Sequence, residues 1–421
     1  MFKKIVLDNG LRIVLVPQPG NLATTVLVLT ETGSKYESKE ISGISHFLEH
    51  LCFKGTTKRP NSIDISAELD GMGAFYNAFT GAEYTGYFAK ARANHFENIL
   101  DVVSDIYLNQ IFDTEELEKE KGVIIEEMNL YEDIPMRKVQ NLFMELLYGD
   151  QPAGWDIAGN KDVIRNLTKD DFVKYHKMHY VAKSTIVVIA GAFDEIKAVE
   201  KVKEYFSQIT DQLKVVKLPT IDTQSNPTVS LIHKKTDQTH FILGVRALNV
   251  FDKRKYIIEV LSDILGGGMS SRLFQKIRNE LGAAYYINAG SDLYTDHGYL
   301  AVSCGVDNNR VLEIISVVLE ELKKLANEPI PEKELVRAKE HLTGNLILSL
   351  ETSNRMAEFY GGQEVTSGDM ATPEQIIEKI NLVTAEEIMT MAKEIFQNQK
   401  LNLALIGPFE DKEPFEKILT F

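Results

Sequence analysis

Two histidines and a glutamate stand close together in the run ISHFLEH, as His46, Glu49 and His50. On a helix, residues four apart share a face, so His46 and His50 lie one above the other with Glu49 beside them. Two neutral imidazoles on one face can hold a metal ion, and a carboxylate within reach can take a proton from water that the ion acidifies. This is the donor set of a catalytic zinc site, one ligand short: such a site takes three protein ligands and keeps its fourth position open. Ser42 and Gly43 make a helix start ahead of the motif, and the apolar residues that follow have helical spacing. The order His-x-x-Glu-His reverses the commoner His-Glu-x-x-His. The competing reading is a polar cluster on the outer face of an amphipathic helix.

The elements that must position these residues are legible in outline. The chain has 421 residues, 44% hydrophobic and 25% charged, which suits a soluble protein of two to four core-forming units. Its net charge of −15 argues against nucleic acid as a partner, and no apolar run is long enough for a membrane span. Two cysteines, Cys52 and Cys304, make no disulfide framework and fit a reducing, cytoplasmic setting. Lys3 and Lys4 precede an apolar run, but that run stops at Asp8-Asn9-Gly10 and resumes at residue 11. An Asn-Gly between two β-prone runs predicts a hairpin over residues 2–17 rather than a secretory signal.

The chain also repeats itself. Residues 74–88 (AFYNAFTGAEYTGYF) align with residues 284–300, Asn77-Ala78 falling on Asn288-Ala289. Each block leads into helix-patterned stretches, at 94–109 and 114–132 in the first half and at 308–325 and 331–350 in the second. Residues 214–227, with two prolines and no helical period, read as a linker. The expectation is therefore an α+β protein of two homologous domains, 1–213 and 228–421, each a mainly antiparallel sheet packed with helices. The second half lacks a counterpart of the histidine motif at 256–265 (YIIEVLSDIL), so one zinc per chain is expected.

At this point the chain resembles the pitrilysin and mitochondrial processing peptidase family of inverzincin zinc endopeptidases. That family's third ligand is a glutamate some way beyond the second histidine, on a helix with another glutamate seven residues earlier. Here Glu127 stands 77 residues after His50, and Glu120 stands seven before Glu127. The resemblance thus implies Glu127 as the third ligand and Glu120 as its support, with Glu126 as the competing ligand. It implies Glu49 as general base. It implies that Asn77 and Ala78 offer a sheet edge to an extended substrate, and that Glu83, in the Thr-x-x-Glu-x-Thr pattern of residues 80–85, has an accessory role near the metal. In the second half, Arg278 and Tyr285 resemble the family's pair that binds substrate backbone and stabilises an oxyanion, with Tyr286 as the neighbour that could be mistaken for it. The glycines at 266–268 precede no Gly-Lys-Ser or Gly-Lys-Thr, so phosphate binding is not indicated.

Longer members of the family enclose substrate between two bowl-like halves, and a chain of this length is one bowl. The resemblance therefore implies a homodimer acting on unfolded or short peptides, with Arg278 and Tyr285 serving the partner's zinc. The alternatives are a non-catalytic binding or assembly subunit, and a hydrolase of non-peptide substrates. Among the remaining candidates, His176 and His179 read as a solvated helix end and Cys52 as a buried structural thiol. Trp155 matches a family loop position of open role.

Overall fold

A computed structural model describes residues 2–421. Among the described residues, eleven strands form two sheets. The first holds β1 (Lys3–Val6), β2 (Arg12–Pro17), β3 (Ala23–Thr30), β4 (Phe75–Thr80), β5 (Thr85–Arg92) and β6 (Thr185–Gly191). The second holds β7 (Thr228–His233), β8 (Gln238–Arg246), β9 (Ala284–Leu293), β10 (Gly298–Asp307) and β11 (Asn402–Gly407). Their orders are β1-β2-β6-β3-β5-β4 and β7-β11-β8-β10-β9. Without β1 the two orders are the same, which is the duplication seen in the sequence written as topology. Pairing is antiparallel apart from β2 with β6 and β7 with β11. The first hairpin forms as its Asn-Gly turn predicts, with Val6 opposite Arg12 and Gly10 at φ 91°.

The central strands are buried on both faces, and so read as continuous apolar runs instead of alternating ones. One face of the first sheet, through Ile13, Val26, Val28 and Ile189, packs on the helices Ile44–Leu51 and Phe96–Leu108. The other face, through Val14, Leu27, Leu29 and Val188, meets Ala357 and Tyr360 of the helix Ser353–Thr366. The second sheet is built alike: Phe241, Leu243, Val302 and Leu405 face one core, while Ile242, Ala301, Ala404 and Ile406 meet Val139, Leu142 and Phe143 of the helix Pro135–Tyr148.

Each unit therefore borrows a helix. The first comprises the chain up to Asn129 with Trp155–Leu218 and Leu348–Ala371; the second comprises Leu130–Gly154, Pro219–Ile347 and Thr372–Phe421. The compact units depart in this way from the contiguous halves 1–213 and 228–421. An amphipathic helix must bury its apolar stripe, but the stripe does not encode which sheet will cover it. Residues 214–227 form no regular element. Among the described residues, no helix is long and apolar enough to cross a membrane.

Candidate metal centre

The helix Ile44–Leu51 carries the motif. Ile44, Ser45, Phe47, Leu48 and Leu51 are buried against the core, and His46, Glu49 and His50 fall on the opposite, half-buried side. Its start is built by tertiary contacts. Gly43 adopts φ 95°, and a Cβ there would lie 2.5 Å from the Ala158 carbonyl oxygen, so glycine serves both the turn and the close approach. The free N–H groups of this first turn find a carboxylate: Gly43 N donates to Glu37 Oε2 at 2.6 Å, and Ser45 N to Glu37 Oε1 at 2.9 Å. Burial pushes the Glu37 carboxyl up to about 7, against the lowering effect of those bonds.

The second wall is the helix Thr114–Asp133. Leu117, Glu120, Ile124 and Met128 form its buried stripe, which turns Glu120 and Glu127 together towards the histidines. Glu127 Oε2 lies 3.7 Å from His46 Nε2 and 3.5 Å from His50 Nε2. These separations are long for hydrogen bonds. They match the roughly 3.4 Å between two donors that each sit about 2.0–2.1 Å from one tetrahedral zinc ion. The donor set of two imidazole nitrogens and one carboxylate oxygen fits zinc, and the three atoms lie within 4.8 Å of one another. Glu126 belongs to the outer side of the same helix, where Asn129 Nδ2 approaches it at 3.4 Å.

The two imidazoles differ in how their surroundings set their protonation. Burial, and then repulsion from His50, pulls His46 down to about 4, so its ring is neutral and a lone pair is available. Burial acts on His50 in the same direction, but the Glu120 hydrogen bond and the surrounding carboxylates hold it above its ordinary value. His50 Nδ1 lies 2.9 Å from Glu120 Oε1, and Lys54 Nζ lies 2.7 Å from Glu120 Oε2. Despite partial burial, these two partners hold Glu120 below the usual carboxylate range. An ionised carboxylate can only accept, so Nδ1 of His50 carries a proton, and Nε2, on the Glu127 side, is the nitrogen that would ligate a metal ion on losing its own proton. Glu49 is raised, chiefly by burial, while the Thr80 hydroxyl donates to its Oε2 at 2.6 Å.

The other expected residues are placed as follows. Asn77 and Ala78 lie on β4, the edge strand of the first sheet, where Ala78 N donates to Asn77 Oδ1 at 2.9 Å. Glu83 follows β4 and is buried with Lys35, whose Nζ is 2.9 Å away, and Lys217 Nζ stands at 3.4 Å. Arg278 and Tyr285 belong to the second unit and meet there: the Arg278 guanidinium donates to the Tyr285 carbonyl and, at 3.3 Å, to the Ala284 carbonyl. Arg278 rides on a π-helical stretch, Phe274–Glu280, and Tyr285 sits where the β9–β10 register slips. Both irregularities are of the kind that re-aims side chains at working sites. Tyr285 is exposed, whereas Tyr286 turns back to hydrogen-bond His240 Nδ1 at 3.1 Å. A cavity of about 320 Å³ in the second unit, lined by Phe143, Met144, Asn288, Asp292 and Tyr299, includes neither Arg278 nor Tyr285.

The corresponding helices of the second unit hold no such donor set. Asp263 on Lys255–Gly266 and His341 on Glu332–Ser349 are 2.7 Å apart, which repeats the His50–Glu120 contact with acid and base exchanged. His176 and His179 are a correction to the sequence reading. His179 is buried with Nδ1 3.0 Å from Thr32 Oγ1, His176 Nε2 lies 3.0 Å from the Tyr107 carbonyl, and burial pulls each down to about 4. Cys52 is fully buried, and burial pushes its thiol up to about 12. Sequence reasoning missed Thr80, Lys54 and Glu37 as parts of the site. Thr80 opens the Thr-x-x-Glu-x-Thr pattern and Lys54 stands one helical turn beyond His50, so both had a signal, whereas Glu37 had none.

A duplicated α+β fold with an inverted His-x-x-Glu-His metal centre in its first unit defines a class of metallopeptidase-like proteins. Residues 12–161 match the family description "Insulinase (Peptidase family M16)", and residues 166–342 match "Peptidase M16 inactive domain". All four motif residues, His46, Glu49, His50 and Glu127, fall in the first match. The chain is similar to the uncharacterized zinc protease YmxG of Bacillus subtilis, 36% identical over 97% of this chain and 98% of that one. It is similar also to the uncharacterized zinc protease SCO5738 of Streptomyces coelicolor, 32% identical over 98% of this chain and 90% of that one. Its fold matches the crystal structure of a protease from Helicobacter pylori with a TM-score of 0.90, at 23% identity, over 97% of this chain and 99% of that one. The chain belongs to the M16 peptidase family.

Proposed function

We propose that this chain is a zinc-dependent endopeptidase that hydrolyses unfolded or short peptides in a closed chamber made by two copies of the chain. The observation that carries this reading is the convergence of His46 Nε2, His50 Nε2 and Glu127 Oε2 at separations suited to one ion, with Glu49 beside them. When bound, zinc supplies Lewis acidity that acidifies a water and polarises the peptide carbonyl. Glu49 accepts the water's proton and returns it to the leaving nitrogen. Glu120 holds the His50 ring through Nδ1, so that Nε2, with His46 Nε2 and Glu127 Oε2, would be a donor that holds the ion. The edge strand β4, at Asn77 and Ala78, takes an extended substrate by main-chain hydrogen bonds, and Glu83 anchors the turn that follows it. Arg278 and Tyr285 donate to the carbonyl oxygen as charge develops on it, acting across the dimer on the partner's substrate.

Metal analysis beside cleavage of a quenched fluorescent peptide tests the reading. One zinc per chain is expected, with cleavage that a chelator abolishes and added zinc restores. One zinc with no cleavage across a peptide library would point to a binding subunit instead.

A further inference from the structure

Thr80 closes β4, and its hydroxyl donates to Glu49 Oε2 at 2.6 Å. Side chains alternate along a strand, so Thr80 shares a face with Ala78, which is buried in the core that the metal helix covers. The turn beyond Thr80 is held from two directions. Gly81 N donates to the Tyr84 carbonyl at 2.9 Å, while Lys35 N donates to the Ala82 carbonyl at 2.9 Å. Thr80 itself pairs with Thr85 across the β4–β5 ladder. A β-branched side chain on so fixed a backbone has little freedom at χ1, which makes its hydroxyl a directional donor.

Glu49 lacks that rigidity, since its carboxylate ends a flexible stem on a helix of eight residues. Its two oxygens are equivalent until a neighbour distinguishes them, and Thr80 does so by taking Oε2. We propose that Thr80 is a positioning residue for Glu49, fixing the carboxylate plane so that Oε1 is the atom that receives the proton. The inference rests on the peptidase reading and deepens it. In the hydrolytic step, the water oxygen bonds to the peptide carbonyl carbon as one water proton passes to Glu49 Oε1. The same proton goes to the leaving nitrogen as the C–N bond breaks, and Thr80 keeps its own hydrogen throughout. Because β4 is also the edge proposed to accept substrate, the strand that aligns the peptide is the strand that aligns the base.

The test compares Thr80→Val, which keeps the shape and removes the donor, with Thr80→Ser, which keeps the donor. Thr80→Ala serves as a second donor-free variant should the valine protein fold poorly. Zinc content, Tm, kcat and KM are measured for each on the full chain with a quenched peptide. The donor-free variants are expected to hold one zinc per chain, with KM within about threefold of wild type and kcat lower by about 10- to 100-fold. Serine is expected to restore kcat to within about fivefold of wild type. Unchanged kcat in a zinc-loaded donor-free variant overturns the inference, as does a serine variant as slow as valine or a loss that merely follows loss of zinc. A zinc-loaded wild type that cleaves no peptide overturns the peptidase reading and this inference with it. An active wild type matched by the valine variant overturns the role of Thr80 alone.

Discussion

The Nδ1 of His50 is 2.9 Å from Glu120 Oε1, and this single contact sets which ring nitrogen is free to meet a metal. Glu120 is itself held by Lys54 at 2.7 Å, so the ring is braced by a chain of charge rather than by one bond. Glu120→Ala leaves the His50 N–H and the Lys54 ammonium unpaired, and zinc affinity is expected to fall about 10- to 100-fold. Glu120→Gln retains a carbonyl acceptor and should lose less. Competition against a chromogenic chelator measures both. Equal affinity in the alanine variant and wild type would remove Glu120 from the site.

Glu37 makes a pH-dependent contribution to stability whose sign can be worked out. Its folded value is raised to about 7 from 4.5, so the folded protein binds the proton more tightly than the unfolded chain does. The carboxyl therefore favours folding below pH 4.5, and that contribution is lost as pH rises towards 7, for a total on the order of 3 kcal/mol. In Glu37→Gln this dependence disappears, and an amide N–H now faces one of the two helix N–H donors. Tm recorded from pH 5 to 8 should fall more steeply for wild type than for the variant. Parallel curves would show that Glu37 does not titrate in this range.

Gly43 and Gly20 both have positive φ, at 95° and 89°, but only Gly43 is enclosed. Gly20→Ala should cost about 1 kcal/mol, the conformational penalty alone. Gly43→Ala adds a backbone contact at 2.5 Å and should cost at least about twice as much, with loss of zinc affinity as the helix start shifts. Urea unfolding of the two variants checks the ranking; equal costs would mean that the Gly43 turn relaxes freely.

The dimer proposal predicts complementation. Glu49→Gln lacks the base and Tyr285→Phe lacks the oxyanion donor, so each homodimer is expected to be slow. A mixed dimer acting in trans places both defects at one of its sites and leaves the other intact. Mixing the two chains should therefore recover activity towards about a quarter of wild type, the share of intact sites on random exchange. No recovery above either parent, with exchange verified by mass, would contradict action across the dimer.

What the sequence made legible follows the range of the interactions involved. His46, Glu49 and His50 could be read because one helical turn sets their geometry, whereas Glu120 and Glu127, 70 and 77 residues beyond His50, were singled out only through the family resemblance. The strand repeat likewise survived as a shared sheet order. Glu37 was invisible, since it stands six and eight residues before the N–H groups it caps, outside any helix they share. His179 looked like a solvated helix end because its burial comes from Thr32 and Tyr36, far away in sequence. The helices Pro135–Tyr148 and Ser353–Thr366 fall within the halves 1–213 and 228–421 by sequence, yet each packs on the other half's sheet, because an apolar stripe names no partner.

The most direct measurement compares Glu49→Gln with wild type, both loaded with zinc and assayed on the same quenched peptide. Glu49 ligates nothing in this arrangement, so both proteins should bind one zinc per chain with similar affinity. Cleavage by the variant should fall by about 100- to 10,000-fold, the usual contribution of a general base. A zinc-loaded variant that cleaves within about threefold of wild type would contradict the assignment of Glu49 and the peptidase mechanism built on it.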